Sequence, residues 1–205
     1  MTADSASTRD RLAERWWTLA APAYDRSVGL VGWHRWQDAL VADIVHGNVL
    51  EVGCGPAHLA ERLVARGVDY AGIDRNAAMV ARAARAVAPW GPGRARIVRA
   101  DITAMPFRPV SFDVVVATGV LGLLAVPMRR VALQEMMRIS RGEIRLLEPV
   151  ARPDAPTRTM RSHVLAFVRE RPLTLDELIE VGLEPEIRGR ALLAGVYSMV
   201  VAGKR

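Results

Sequence analysis

The feature that most limits what this chain can fold into is a regular alternation of short apolar runs with helical stretches between Val49 and Leu147. Strands are predicted at Val49–Val52, Asp69–Asp74, Ala95–Ala100, Phe112–Ala117 and Glu143–Leu147, with helices over Ala57–Arg66, from an Asn76 cap through Val87, and over Met128–Ser140. Gly67 and the run Pro89-Trp90-Gly91-Pro92-Gly93 supply the stops. Strands separated by helices form parallel βαβ units. Val114, Val115 and Val116 are apolar without interruption, the pattern of a strand covered on both faces. Two more strands, Glu184–Arg190 and Tyr197–Gly203, are joined by only a short link around Gly195 and therefore form an antiparallel hairpin at one edge. The expected fold is α/β, a doubly wound, mostly parallel seven-stranded sheet with an antiparallel C-terminal edge hairpin.

Two regions fall outside this rhythm. Residues 1–46 read as an N-terminal helical segment, with Leu12, Trp16 and Leu19 and then Trp33, Trp36, Leu40 and Ile44 recurring at helical spacing. Residues 47–205 read as the main domain, the whole being one compact unit. Within it, residues 149–172 form an irregular insert with a short helix expected around Met160–Val168. Thr174 followed by Glu177 is a capping-box pattern that starts a helix through Val181.

Composition excludes several classes. Hydrophobic residues make up 51% of 205 residues, enough for a continuous core. The net charge of +6 comes almost wholly from arginines scattered among alanines and valines, since Lys204 is the only lysine. Such scatter describes a solvated surface better than a nucleic-acid face. Cys54 stands alone, which excludes an intrachain disulfide and a cysteine zinc cluster, and no metal site is expected. The first residues lack a secretion signal. The longest uncharged run, Val114 to Met128, is broken by Gly119, Gly122 and Pro127 and is not a transmembrane span. A cytoplasmic protein is expected.

The chemistry concentrates at Glu51-Val52-Gly53-Cys54-Gly55-Pro56-Ala57-His58. Glycines 53 and 55 allow a sharp strand-to-helix turn and a close approach of backbone to a ligand. The helix that follows presents free N–H groups. A nicotinamide-binding turn would carry a third glycine where His58 stands. Asp74, about 20 residues after Gly55, ends the second strand and can accept from ribose hydroxyls, although a turn role is the plainer reading. Asp101 ends the third strand and can accept from an adenine amino group while Ile102 packs on the ring; its alternative is a helix cap. Ligands of open α/β sheets bind at this carboxyl edge.

With these residues in place, Val49–Ala57 resembles motif I of the class I S-adenosylmethionine-dependent methyltransferases, an acidic residue followed by x-Gly-x-Gly. Gly72-Ile73-Asp74-x-Asn76-x-x-Met79, Ala100-Asp101-Ile102 and Phe112-Asp113-Val114-Val115 are similar to the family's next three blocks. Met136–Gly142 resembles the segment before strand five, with Ser140-Arg141 departing from the usual x-Pro. The resemblance covers residues 45–148 and the edge hairpin. It is nearest to small-molecule enzymes related to those of quinone and phospholipid biosynthesis.

The resemblance implies a Rossmann-like methyltransferase fold, S-adenosylmethionine as cofactor and direct in-line methyl transfer. It places Tyr24, Glu51, Gly53, Cys54, Gly55, Asp74, Arg75, Met79, Asp101, Ile102 and Thr118 at the cofactor, Tyr24-Asp25 belonging to an N-terminal lid. Trp33 and Trp36 read as packing residues. No catalytic residue is assigned: His163, Glu148, Glu170 and Tyr197 lie on segments able to face an acceptor, and structural roles explain each better. Leu165, Phe167 and Val168 beside arginines suit a lipid-like or aromatic small-molecule acceptor, and core packing explains them equally well. Ala117-Thr118-Gly119-Val120 replaces the Asn/Asp-Pro-Pro-Tyr/Phe of amide and nucleobase methylators, no acidic trio marks a magnesium site, and there is no dedicated nucleic-acid module. Three alternatives stand: a non-catalytic methyltransferase-like binding protein, a nicotinamide-dependent oxidoreductase, and a nucleic-acid acceptor. Nothing in the sequence sets the oligomeric state.

Overall fold

The computed structural model describes residues 32–151, 171–191 and 197–204. Seven strands form one sheet in the order β3-β2-β1-β4-β5-β7-β6. They are β1 (Asn48–Val52), β2 (Asp69–Asp74), β3 (Ala95–Arg99), β4 (Phe112–Thr118), β5 (Ser140–Pro149), β6 (Leu183–Ala191) and β7 (Tyr197–Lys204). Strands β1 to β5 pair in parallel, while β7 lies antiparallel between β5 and β6. The expected doubly wound sheet with its antiparallel edge is therefore present, and the hairpin turn at Gly195 falls outside the described residues. Chain order reverses where β1 meets β4, the switch point at which open α/β sheets leave a crevice.

Among the described residues five α-helices cover the sheet: α1 (Trp33–Leu40), α2 (His58–Ala65), α3 (Ala77–Val87), α4 (Val126–Ile139) and α5 (Leu175–Glu180). The two-residue period of the strands sorts the core into two layers. Val49, Tyr70, Val114 and Val116 bury against Leu40, Leu59, Leu63 and Ala83 from α1, α2 and α3. Leu50, Val52, Ile73 and Val115 bury against Leu133, Met136, Ile139 and Leu178 from α4 and α5. Every residue of β4 from Val114 to Thr118 is buried, as its unbroken valine run requires.

Local chemistry sets the ends of these elements. The Asn76 side chain accepts from the N–H groups of Ala78 and Met79 and starts α3. Thr174 and Glu177 cap α5 reciprocally, as the spacing predicts. Helix α4 begins two residues earlier than expected because Pro127 fits its first turn, and it ends at Ile139. Ser140, expected as the end of that helix, instead opens β5 by pairing with Phe112. Helix α1 is shorter than the periodicity to Ile44 implies. Its end is fixed by the nearly buried Arg145 of β5, which donates to the Leu40 carbonyl at 2.7 Å and to Asp43. Trp33 packs edge-on against Tyr197 with ring centroids 5.1 Å apart, the packing role expected of it.

The insert is rooted at the carboxyl ends of β4 and β5. Val150 bridges Leu173, Leu173 N–H donates to the Pro149 carbonyl, and Arg171 N–H donates to the Gly122 carbonyl. The helix expected at Met160–Val168 lies outside the described residues, as does the predicted helical stretch around Arg11–Trp17. Among the described residues no helix is long and apolar enough to cross a membrane.

Candidate functional site

The turn after β1 is built as its glycines require. Gly53 and Gly55 sit at φ +66° and +51°. Their reasons differ. A Cβ on Gly53 would lie 2.6 Å from Val120 Cγ2, so this glycine lets the loop after β4 close onto the turn. Among the described residues, a Cβ on Gly55 would meet nothing within 4 Å, so here the backbone is left bare beside the crevice. Ala57 also has positive φ, 64°, and leads into α2 at His58.

Asp74 ends β2 directly beside this turn. Its carboxylate accepts from Gly55 N–H at 3.0 Å and from Asn76 N–H at 2.8 Å, which fixes the turn and the start of α3 together. Burial raises the Asp74 pKa, opposed by these backbone hydrogen bonds. Asp74 has the turn role foreseen for it. Asp101 caps no helix, because a turn and not a helix follows β3; it accepts from the Thr103 N–H and hydroxyl at 2.8 and 2.7 Å within that turn. Each oxygen of a carboxylate carries two lone pairs, so these bonds leave capacity for a ligand. Partial burial acts to raise the Asp101 pKa, but its bonds to Thr103 outweigh this and hold it low.

The other sequence-predicted positions are distributed around this turn. Met79 is buried in the first turn of α3, Arg75 is exposed after β2, and Ile102 is half-buried against the core layer of α4. Cys54 turns its side chain inward: its sulfur would lie 2.9 Å from a Cβ on Gly72, so this residue contributes its backbone to the turn and its thiol to the interior. Burial, then the charges of Glu51 and Asp74, push that thiol's pKa well up. Glu51 also points inward, 1% exposed beneath the turn, and accepts from the Tyr70 hydroxyl at 2.5 Å. Burial pushes its pKa up to about 8 against the opposing Tyr70 bond. Thr118 is buried at the end of β4, where its hydroxyl accepts from Gln37 Nε2 at 3.0 Å. Tyr24 lies outside the described residues.

The other wall joins Glu148, for which the sequence reading preferred a structural role, to Arg129, which it did not single out. Glu148, fully buried at the end of β5, accepts from three consecutive N–H groups: Val120, Leu121 and Gly122, at 2.9, 3.0 and 3.1 Å. Burial still raises its pKa, with those three bonds pulling the other way. Arg129 of α4 is likewise fully buried. Its guanidinium donates to the carbonyls of Leu121, Arg171 and Pro172 and pairs with Glu177 at 3.0 Å. Together these residues lock the loop after β4 to both roots of the insert. Glu148 and Tyr197 thus have the structural roles preferred for them, while His163 and Glu170 lie outside the described residues. Gln37 and His34, whose Nδ1 stands 3.1 Å from Gln37 Oε1, were not foreseen either. Among the described residues no group of three or more His, Cys, Asp or Glu could hold a metal.

Residues 49–142 match the methyltransferase domain family. A stretch of 118 residues is 34% identical to an uncharacterized methyltransferase of Mycolicibacterium vanbaalenii, covering 57% of this chain and 44% of that protein. The chain thus spans less than half the length of that relative. The fold resembles an S-adenosylmethionine-dependent methyltransferase of Methanosarcina mazei (TM-score 0.61, 18% identity, 78% of this chain and 93% of that one). It also resembles the magnesium protoporphyrin IX methyltransferase of Synechocystis PCC 6803, solved with S-adenosylhomocysteine bound (TM-score 0.65, 15% identity, 89% and 84%).

Proposed function

We propose that this chain, which carries a class I S-adenosylmethionine-dependent methyltransferase domain, binds S-adenosylmethionine at the β1 turn and transfers its methyl group to a small-molecule nucleophile. One observation carries the reading: Gly55, at positive φ, opens onto free space while Asp74 anchors its N–H at the switch point of the sheet. Backbone laid bare at that edge is what an adenosyl ligand needs in order to approach closely. Asp74 and Asp101 are the candidates for ribose and adenine contacts, Ile102 and Met79 for apolar contact with the base, and Arg75 for the rim. Gly53, Thr118 and the backbone of Cys54 would border the methionine portion. Glu51 fits there too, as a buried carboxylate one strand residue beneath the turn that an ammonium group would help to ionise. Tyr24 and the rest of residues 1–46 are proposed to cover the cofactor.

The cofactor supplies a sulfonium-activated methyl. The protein's task is then to align the acceptor with the S–CH₃ bond and keep water out. The loop locked by Glu148 and Arg129, with residues 149–172, would form the acceptor wall. A lipid-like or aromatic acceptor in the cytoplasm is the preferred case, supported by the apolar residues Leu165, Phe167 and Val168 and by the lack of any basic nucleic-acid module in the sequence.

Isothermal titration with S-adenosylhomocysteine tests the reading. Binding in the micromolar range is expected, lost in Gly53→Val and weakened in Asp74→Ala. A folded protein giving no heat with this ligand, but a thermal shift with NAD(H) or NADP(H), overturns it in favour of an oxidoreductase. Binding without turnover on any acceptor would point to a non-catalytic relative.

A further inference from the structure

We propose that His34 is the proton acceptor for the methylated nucleophile, held by Gln37 in the tautomer that leaves Nε2 basic; the inference rests on the methyl-transfer reading above. Helix α1 runs antiparallel to the central strands. Its last residue, Leu40, meets Arg145 midway along β5, whereas Gln37 reaches Thr118, the last residue of β4. His34 lies one turn before Gln37 on α1, and the helix direction carries it onward past the level of Thr118 toward the carboxyl ends of the strands. Its half-buried ring stands 4.3 Å from that of His58, tilted by 57°. His58 is the first residue of α2, immediately after the glycine turn. The imidazole of His34 therefore sits between the two loops that border the methyl-bearing end of the proposed cofactor site.

The tautomer follows from bond direction. Gln37 is 5% exposed and gives its amide N–H to Thr118, so it turns its carbonyl oxygen toward His34 Nδ1. A carbonyl oxygen only accepts, so Nδ1 must carry the hydrogen and Nε2 the lone pair. As the nucleophile's X–H group attacks the methyl carbon, the X–C bond forms and the C–S bond breaks, its electron pair staying on sulfur. The proton of X–H passes to Nε2. The resulting imidazolium keeps its Nδ1–H···Oε1 bond, which strengthens when the donor is charged. Its half-buried position then lets the proton leave to solvent. Among the described residues, the charged and titratable groups near the ring include His58 from α2 and, one turn along α1, Asp38 paired with Arg62 of α2.

Nitrogen-15 NMR of the full-length protein tests this without knowledge of the acceptor. His34→Ala assigns the resonance. The neutral ring of His34 should show the Nδ1–H pattern, and Gln37→Leu should shift it toward the ordinary Nε2–H form. Nε2 should shift on adding sinefungin, which bears a charged amine where the methyl group stands, and shift less with S-adenosylhomocysteine. An Nε2–H tautomer in the unaltered protein overturns the inference, and so does an Nε2 signal that ignores both ligands while titration shows them bound. Either result leaves the cofactor reading intact. Failure of both ligands to bind removes that reading, and this inference with it.

Discussion

Two glutamates on neighbouring parts of one sheet, both fully buried, are satisfied in opposite ways. Glu51 on β1 has a single side-chain donor, the Tyr70 hydroxyl, and its pKa is pushed up to about 8. Glu148 on β5 has three backbone N–H donors and the guanidinium of Arg129 nearby, so more of the cost of burying its charge is offset. The first is a carboxyl left under-satisfied beneath the turn proposed to hold the cofactor, as expected where a cationic ligand completes the site. The second is a structural carboxyl that shapes a loop. Burial of an acid therefore does not by itself mark function; the number of donors already committed to it separates the two cases.

The largest effect should follow from breaking the structural half. Arg129→Met removes a fully buried cation from Glu177 and from three carbonyls. Loss of one partner of such a network costs about 3–5 kcal/mol, which urea unfolding would read directly. The contrast sharpens if the surviving folded fraction still binds S-adenosylhomocysteine with unchanged Kd. Joint loss of stability and affinity would mean that the two halves form a single unit.

Glu51 gives the second test, through pH. Its folded pKa lies above the unfolded value of 4.5, so the folded state holds a proton that the unfolded state has released between these limits. Its contribution is fully present below about pH 4.5 and is lost as pH rises through about 8. At roughly 1.4 kcal/mol per pKa unit, the loss by pH 9 is on the order of 5 kcal/mol. Glu51→Gln should flatten the dependence between pH 6 and 9 in urea titrations. An unchanged slope in that variant would show that Glu51 is already ionised in the fold.

The turn after β1 was legible because its requirements are local. Positive φ at residues 53 and 55, a carboxylate at the end of β2 and an Asn76 cap each demand particular residue types at fixed spacing. The loop after β4 and the roots of the insert resisted because their bonds join positions 27, 42 or 48 residues apart, such as Glu148 with Leu121, or Arg129 with Arg171 and Glu177. No spacing rule links them. Arg129 looked like one more surface arginine on an amphipathic helix, and only the fold shows it with no exposed surface. Element ends failed for the same reason: Ser140 joins β5 through pairing with Phe112, a partner that no local pattern reveals. Cys54 shows the reverse limit, since the motif marks the position but not the direction its thiol points.

Glu148→Gln should cost less than Arg129→Met, about 1–3 kcal/mol in urea unfolding. The amide keeps one accepting oxygen and turns an N–H₂ group toward donors that need an acceptor. The loss should be larger than for any exposed acid such as Glu186, which is paired only with Arg188 of its own strand. An equal effect at both positions would remove the distinction drawn for Glu148.

The smallest stability effect, and the most direct probe of the proposed site, is expected at Gly55. A Cβ there meets no protein atom, so Gly55→Ala pays only the left-handed backbone strain, about 1 kcal/mol in denaturant. Gly53→Ala has similar strain and in addition drives Val120 away, and should be the less stable of the pair. Affinity should run in the opposite sense. The new methyl at 55 enters the space offered to the cofactor and should weaken S-adenosylhomocysteine binding at least tenfold, in a protein that melts within a few degrees of the original. If Gly55→Ala binds that ligand as tightly as the unaltered chain, the open space beside residue 55 is not where the cofactor lies.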